Sequence, residues 1–586
     1  MSIVMKSRYR IVLTGLVAVL GLIPVSKGRT DQPRTPPAAD SFPVTIRIDA
    51  GRTGGAMRPV WRFFGHDEPN YTTMKDGKTL LGQLASLSPE PVYIRTHNLL
   101  TSGDGTPALK WGSTGVYSEN ADGKPQYDWT ILDRIFDTYK ERGVRPMVQI
   151  GFMPEALSTH PAPYQHEWTP GGKASISTGW AYPPKDYKKW AELVYQWVRH
   201  DIERYGKAEV ETWYWEVWNE PNILYWRGTP EEYRKLYDHA VDAVKRALPT
   251  ARVGGPHVAG TRTPESTKFL RDFLEHCLRG MNHATGKVGS PLDFIAFHAK
   301  GSPRFVNGHV QTGIASQLQD IDRGFGVVAS YPELKDKPII IGESDPDGCA
   351  ACPSTVYPQN GYRNGTLYAS YTAASFARKY DLAERHGINF EGAVTWAFEF
   401  EDQPYFAGFR VLSTNGLPLP VLNVFRMFGM MGGKRLAVES TGEVAWDAIR
   451  KDGVRGQPDV SALASLRDGK VCVLAWHHHD DDLPGPAAEV ELKLSGLPAG
   501  VGPVLMEHFR IDRDHSNAYD AWKRMGSPQQ PTPEQSAGLE RSSALALLGS
   551  PEWVQPKGGK LVLRYTLPRQ AVSLLVLVPR RRSESP

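Results

Sequence analysis

Two glutamates stand out by their surroundings. Glu220 lies in the run Glu211-Thr-Trp-Tyr-Trp-Glu-Val-Trp-Asn219-Glu220-Pro221-Asn222. The aromatic-rich strand stops at Asn219 and Glu220, because Pro221 cannot continue it. An apolar wall raises a carboxyl's pKa by desolvating its charged form, which suits a general acid working near neutral pH. Glu343 ends a second apolar run, Pro338-Ile-Ile-Ile-Gly342-Glu343. Two carboxylates on separate rigid strands are what glycoside hydrolysis requires. One protonates the leaving oxygen, and the other attacks the anomeric carbon or activates water; a gap of about 5–5.5 Å gives retention. Asp345 competes for the second role, but Pro346 already turns the chain away. Asn219 is placed to hold a sugar hydroxyl. His97 and His298 also end predicted strands, with a satisfied core histidine as the alternative for each. Trp396, at a strand end, reads as a sugar platform, with plain barrel core as the alternative, and His66-Asp67-Glu68 as part of a pocket rim.

These residues need a scaffold that gathers strand ends. From Trp61 to about Met431 short apolar runs alternate with amphipathic segments. The runs include 92–96, 144–150, 210–218, 252–255, 292–298, 338–341 and 390–398; the helical segments include 130–142, 185–205, 230–247, 267–279 and 365–386. In 185–205 the apolar positions Trp190, Leu193, Val194, Trp197, Val198 and Ile202 recur at helical spacing, and Gly206 is a C-cap. Near-continuous apolar strands separated by helices predict a parallel sheet buried on both faces. The fold class is therefore α/β, a (β/α)₈ TIM barrel over 61–431. A doubly wound sheet is the alternative, but no G-x-G-x-x-G follows the first strand. In a barrel, function sits at the C-terminal ends of the strands.

After residue 432 the pattern changes to alternating or apolar strands with Gly and Pro between them, the signature of a C-terminal antiparallel β-sandwich over 432–580. The strand PVTIRID (43–49), within an N-terminal segment 43–60, has no helix after it and is expected to join that domain. Residues 511–550 read as a polar, irregular insertion. At the N-terminus a basic stretch precedes the apolar run 11–25, which reads as a signal peptide over 1–28, with an uncleaved membrane anchor as the alternative, followed by a Pro-rich linker over 29–42. An exported protein, periplasmic or extracellular and free of the membrane after cleavage, is expected. Lys+Arg 68 against Asp+Glu 64 excludes a strongly basic nucleic-acid binder.

Taken together, Ile94-Arg-Thr-His97, Ile150-Gly-Phe152-Met-Pro-Glu, Trp218-Asn-Glu-Pro, Phe297-His298, Gly342-Glu343 and Trp396 make the chain resemble glycoside hydrolase family 39. The resemblance implies a cofactor-free, metal-free retaining exo-glycosidase acting on an oligosaccharide, with Glu220 as acid/base and Glu343 as nucleophile. It implies His97, Phe152, Asn219, His298 and Trp396 around the terminal sugar, and an acidic residue beyond Trp396 on distal hydroxyls, Glu401 in preference to Glu399. Where the family usually has a Tyr, this chain has Lys300. The first expectation for the substrate is a terminal β-D-xyloside. The alternatives are an α-L-iduronide, whose carboxylate Lys300 could pair, and an α-L-arabinoside.

Cys349-Ala-Ala-Cys352 follows the Glu343 strand. It reads as a local disulfide stiffening the pocket wall, with two free thiols as the alternative. A thiol oxidoreductase is disfavoured because Pro353 stands where a redox motif would open a helix. The run 477–482, three His and three Asp, reads as a solvated turn, since its spacing matches no metal-ligand pattern. A non-catalytic sugar-binding barrel would use the aromatics but does not require both glutamates.

Overall fold

The computed structural model describes residues 41–580 apart from 174, 397 and 499. The segments read as a signal peptide and as most of the linker lie outside the described residues. Strands β2 (Phe63–His66), β3 (Tyr93–Thr96), β4 (Arg145–Ile150), β5 (Tyr214–Val217), β6 (Arg252–Val258), β7 (Phe294–His298), β8 (Ile339–Glu343) and β9 (Phe390–Trp396) form a closed parallel barrel in sequence order. Val394 of β9 pairs with Phe63 of β2 and closes the ring. Each strand feeds a helix: α1 (Lys75–Ala85), α2 (Thr130–Arg142), α3 (Tyr187–Tyr205), α4 (Pro230–Ala247), α5 (Pro264–Arg279), α6 (Ile314–Ala329), α7 (Thr366–His386) and α8 (Pro420–Met430).

The local chemistry explains these elements. Strands such as Ile339–Glu343 and Phe294–His298 are buried along their whole length, between the barrel interior and the helices. Helix α3 starts where the Asp186 side chain accepts from the backbone N–H groups of Lys188 and Lys189, and it ends at Gly206, whose φ is 88°. Its apolar stripe, Trp190, Leu193, Val194, Trp197 and Val198, is buried. Helix α4 starts with a capping box between Thr229 and Glu232.

The second domain is built on β1 (Ser41–Ala56), β10 (Lys434–Ser440), β11 (Asp459–Arg467), β12 (Lys470–His478), β13 (Ala487–Ser495), β14 (Val504–Ile511), β15 (Leu561–Leu567) and β16 (Val572–Pro579). Their order is β14-β16-β12-β11-β10-β1-β13-β15, with the short strands 546–547 and 552–554 on β14. All pairings are antiparallel except β1 with β13, which run parallel from Ser41 opposite Ala487 to Asp49 opposite Ser495. Residues from both ends of this sheet share one core, for example Val44, Ile46, Val490 and Leu492 with Val471, Val473 and Leu575. The other face of β12, Cys472, Leu474 and Trp476, joins the barrel's hydrophobic core. A strand buried on both faces ties the domains together.

Three sequence expectations are corrected. Ser41 and Phe42 belong to β1 rather than to the linker. The insertion 511–550 is ordered: it carries α10 (Ala518–Arg524) and α11 (Pro533–Ser543), with a short α9 (Trp446–Asp452) earlier in the domain. The run 477–482 is not a solvated turn. His477, His478 and Asp480 are fully buried, and Asp480 accepts from the Thr312 hydroxyl at 2.7 Å and from the backbone N–H of Val454 at 2.9 Å. These polar groups form a seam between barrel and sandwich. Among the described residues, no helix is long and apolar enough to cross a membrane.

Candidate active site

The C-terminal ends of the barrel strands bring a dense set of charges together. Glu220 follows β5, the fourth barrel strand, and has φ 46°; Trp218, two residues before it, has φ 71°. Positive φ is uncommon for such residues and turns the chain abruptly off the strand. Glu343 ends β8, the seventh barrel strand, opposite His298 at the end of β7, with a register shift just before it. One oxygen from each glutamate and a ring nitrogen of His298 lie within 4.8 Å of one another.

The positive charge between the carboxylates comes from Lys300, whose Nζ is 2.6 Å from Glu220 Oε1 and 2.6 Å from Glu343 Oε2. Arg95, buried at the end of β3, fans out beneath. Its Nε donates to Glu216 at 2.7 Å, Nη1 to Glu343 at 3.3 Å and Nη2 to Asn219 Oδ1 at 3.0 Å. The Trp396 ring lies 4.8 Å from this guanidinium and 4.3 Å from the His97 ring. Gly65 makes room for Trp396: a Cβ there would meet the indole at 2.3 Å.

His97 completes the floor, with Nδ1 2.9 Å from Asp67 and Nε2 3.8 Å from Glu343. Asp67 also receives Trp396 Nε1 at 3.1 Å and Lys110 Nζ at 3.0 Å. Phe152 packs against Trp180, Trp218 and Tyr225. A tight crevice of about 20 Å³, little more than room for one water molecule, lined by Asp67, His97, Lys110, Phe152, Trp180 and Tyr225, adjoins the cluster.

Of the sequence-predicted residues, Glu220, Glu343, His97, Phe152, Asn219, His298, Lys300 and Trp396 come together here. Glu401 does not join them: its carboxylate accepts from the backbone N–H of Asp76 at 3.0 Å, in the first turn of α1. A helix start offers free N–H groups and a positive dipole end, and Glu401 satisfies that end. Glu399 instead lies beside Trp396 and Asp67 in a second small cavity. Burial pushes its pKa up to about 7 against the hydrogen bonds from Ser413 and Gly416. Asp345 faces away from the pair: it is ion-paired with buried Arg410 at 2.6 Å and accepts from the backbone N–H of Trp396 at 2.7 Å. Cys349 and Cys352 are joined as a disulfide in the loop after β8. Trp168 Nε1, from the long β4–α3 loop, donates to Ala351 O within that disulfide loop at 3.4 Å.

Sequence reading missed Arg95, Glu216, His257, Lys110, Trp180 and Tyr225. The first two carried a readable signal. A charged residue inside an otherwise apolar barrel strand must be paired in the interior.

Electrostatics correct a further expectation. Burial does act to raise Glu220's pKa, but the Lys300 charge and the His298 contact outweigh it and hold the carboxyl well below its usual range. Glu343 follows the same balance, with Lys300 and His298 pulling it down to about 2. Burial opposes a charge on Lys300, yet the two carboxylates push its pKa up. Removing the ammonium withdraws a charge that favours both ionised carboxylates. In Lys300→Met, both limbs of the pH profile of kcat/KM should therefore move to higher pH. Initial rates across pH check this, and an unmoved profile contradicts it.

The glycosyl hydrolases family 39 model matches residues 44–544, most of the chain. The chain belongs to glycosyl hydrolase family 39. It is 29% identical to a β-xylosidase from Geobacillus stearothermophilus over 458 residues, covering 75% of this chain and 77% of that one. It is 25% identical to the α-L-iduronidase of Homo sapiens over 593 residues, covering 94% and 81%. A monomeric β-xylosidase from Caulobacter crescentus CB15 superposes with a TM-score of 0.70 at 22% identity, covering 91% and 99%, a likeness of fold. As a family 39 member with such relatives, the protein is a glycosidase acting on a carbohydrate.

Proposed function

We propose that the protein is a retaining exo-glycosidase that releases a terminal β-D-xylosyl unit, with Glu343 as nucleophile and Glu220 as acid/base. The observation that carries this reading is the 4.8 Å grouping of the two carboxylates and His298 at the ends of β5, β7 and β8. Inverting enzymes keep their carboxyl groups about 6.5–9.5 Å apart to admit a water molecule, whereas retaining ones hold them at about 5–5.5 Å. In the first step a Glu343 oxygen bonds to the anomeric carbon. The glycosidic bond breaks with its electron pair on the leaving oxygen, which takes a proton from Glu220. In the second step Glu220 removes a proton from water as that water attacks the same carbon, and Glu343 departs as carboxylate. Arg95 holds the nucleophile in place.

The xyloside assignment draws on the β-xylosidase relatives at 29% and 28% identity. Lys300 favours a second reading, an α-L-iduronide, because its ammonium could exchange a glutamate for the substrate carboxylate in a charge-assisted contact. Release from aryl β-D-xyloside, aryl α-L-iduronide and aryl α-L-arabinoside separates these. The xyloside should be cleaved fastest, and the anomer first released should retain the substrate's configuration by NMR. Cleavage of the iduronide alone, lost in Lys300→Ala, would replace the first reading by the second. First release of the inverted anomer would remove the double displacement.

A further inference from the structure

Glu220 poses a problem. A group held so firmly ionised is a poor store for the proton that an acid catalyst must deliver. Behind it runs a line of buried polar contacts. Glu220 Oε1 is 2.8 Å from His298 Nδ1. His298 Nε2 is 3.3 Å from His257 Nδ1. His257 Nε2 is 2.6 Å from Glu216 Oε2, an ion-pair approach too close for two bare acceptors, and neither atom makes a well-aligned hydrogen bond among the described residues. Glu216 Oε1 then receives Arg95 Nε at 2.7 Å.

His257 is aimed into this line by its backbone. It has φ 56°, at a register shift where Pro256 and Val258 of β6 pair with successive residues of β7. Such a bulge re-aims a side chain next to a site. Gly342 on β8 leaves the space: a Cβ there would stand 2.2 Å from His257 Nδ1 and 3.0 Å from His298 Nε2.

Counting protons gives a definite result. The line has three contacts, and each needs one proton. Its two ends are carboxylates, and two neutral imidazoles carry one ring proton each. Two protons cannot fill three contacts. Without a third, two bare acceptors would face each other in a dry interior, where unpaired polar groups are most costly. Charge leads to the same number: Asp67 and Lys110 balance each other, and Glu216, Glu220 and Glu343 face Arg95 and Lys300, so one more positive charge balances this set. Burial works against an imidazolium at either ring taken singly, and lowers His257 to about 4. Arg95 at one end and Lys300 at the other disfavour a protonated carboxylate, which leaves the two rings to share the charge. His97, Glu343 and the Tyr225 hydroxyl also face the line.

We propose that Glu216, His257 and His298 form a buried store holding one proton beyond those of neutral imidazoles, and that Glu220 draws on it for the leaving group. This rests on the glycosidase reading above. In the first step the stored proton passes from His298 Nδ1 to Glu220 and on to the leaving oxygen. In the second, the proton Glu220 takes from water returns to the line. His257 and Glu216 are positioning residues that never touch the substrate.

Two measurements test this. In protein carrying ¹⁵N-histidine, NMR at neutral pH should count three ring protons on His257 and His298, assigned with His257→Gln and His298→Gln. Glu216→Gln replaces an acceptor by an amide that can donate to His257, so neutral rings then suffice and the count should fall to two. Two ring protons in the unmutated protein would overturn the proposal, whatever the activity. Glu216→Gln should also lower kcat/KM roughly tenfold for a glycoside with a poor leaving group, while a dinitrophenyl glycoside, which needs no acid, changes little. Equal losses on both substrates would mark Glu216 as purely structural and overturn the proposal. Inactivity of the unmutated protein on every aryl glycoside would sink the glycosidase reading and leave the proton count standing.

Discussion

Glu343→Gln should lower turnover of an aryl glycoside by roughly 10⁴-fold or more, the scale on which a lost nucleophile is felt. The amide keeps the size of the side chain and its acceptor oxygen toward Arg95, so the fold should survive. It cannot form the ester to the anomeric carbon. Addition of azide to Glu343→Gly should restore rate by attack from the emptied side, giving a glycosyl azide of inverted configuration. Circular dichroism guards against a folding defect. A variant that still turns over at more than a tenth of the original rate would assign the nucleophile elsewhere. Asp345 is a poor substitute, since Arg410 and the Trp396 backbone already occupy its oxygens.

Glu220→Ala should divide substrates by their leaving groups. For a poor leaving group kcat/KM should fall by about 10²–10⁴-fold, because bond cleavage then proceeds without a proton donor. For a dinitrophenyl glycoside kcat/KM should change far less, while kcat falls because the second step loses its base. The covalent intermediate should then accumulate, visible as a burst of dinitrophenolate. A uniform fall in kcat/KM across leaving groups would show that Glu220 acts on something other than the departing oxygen. The alanine also removes one of the two carboxylates beside Lys300, so a parallel Glu220→Gln variant separates loss of acid from loss of charge.

The barrel was legible because its strands are buried on both faces and its helices on one, which writes two distinct periods into the sequence. Helix α2 begins and ends where its pattern predicts, at Thr130 and Arg142. The strand-end glutamates were legible because a carboxylate at the end of an aromatic or Ile-rich run has no structural reason to be there. Their state of charge was not, since it depends on Lys300, 80 residues beyond Glu220. The buried seam at 477–482 was misread for a related reason. A run of His and Asp looks solvated until tertiary partners such as Thr312 and Ser370 are known. The helix Pro533–Ser543 was readable and overlooked: Thr532 and Gln535 form a capping box, a signal visible as T-x-x-Q. Glu401 and Glu399 could not be told apart by spacing, because the choice depends on where the start of α1 lies.

The place of β1 bears on how the molecule is made. This strand is fixed between Lys434–Ser440 and Ala487–Ser495, partners translated some 400 residues after it. At about 5–20 residues per second, the ribosome needs roughly 20 to 80 s to supply them. Throughout that interval a segment with Val44, Ile46 and Ile48 on one face waits as an unpaired edge while the barrel forms beside it. A chain interrupted before residue 434 would thus release a barrel trailing an adhesive ribbon, and the accessory sheet could not be grafted elsewhere without carrying both chain ends with it.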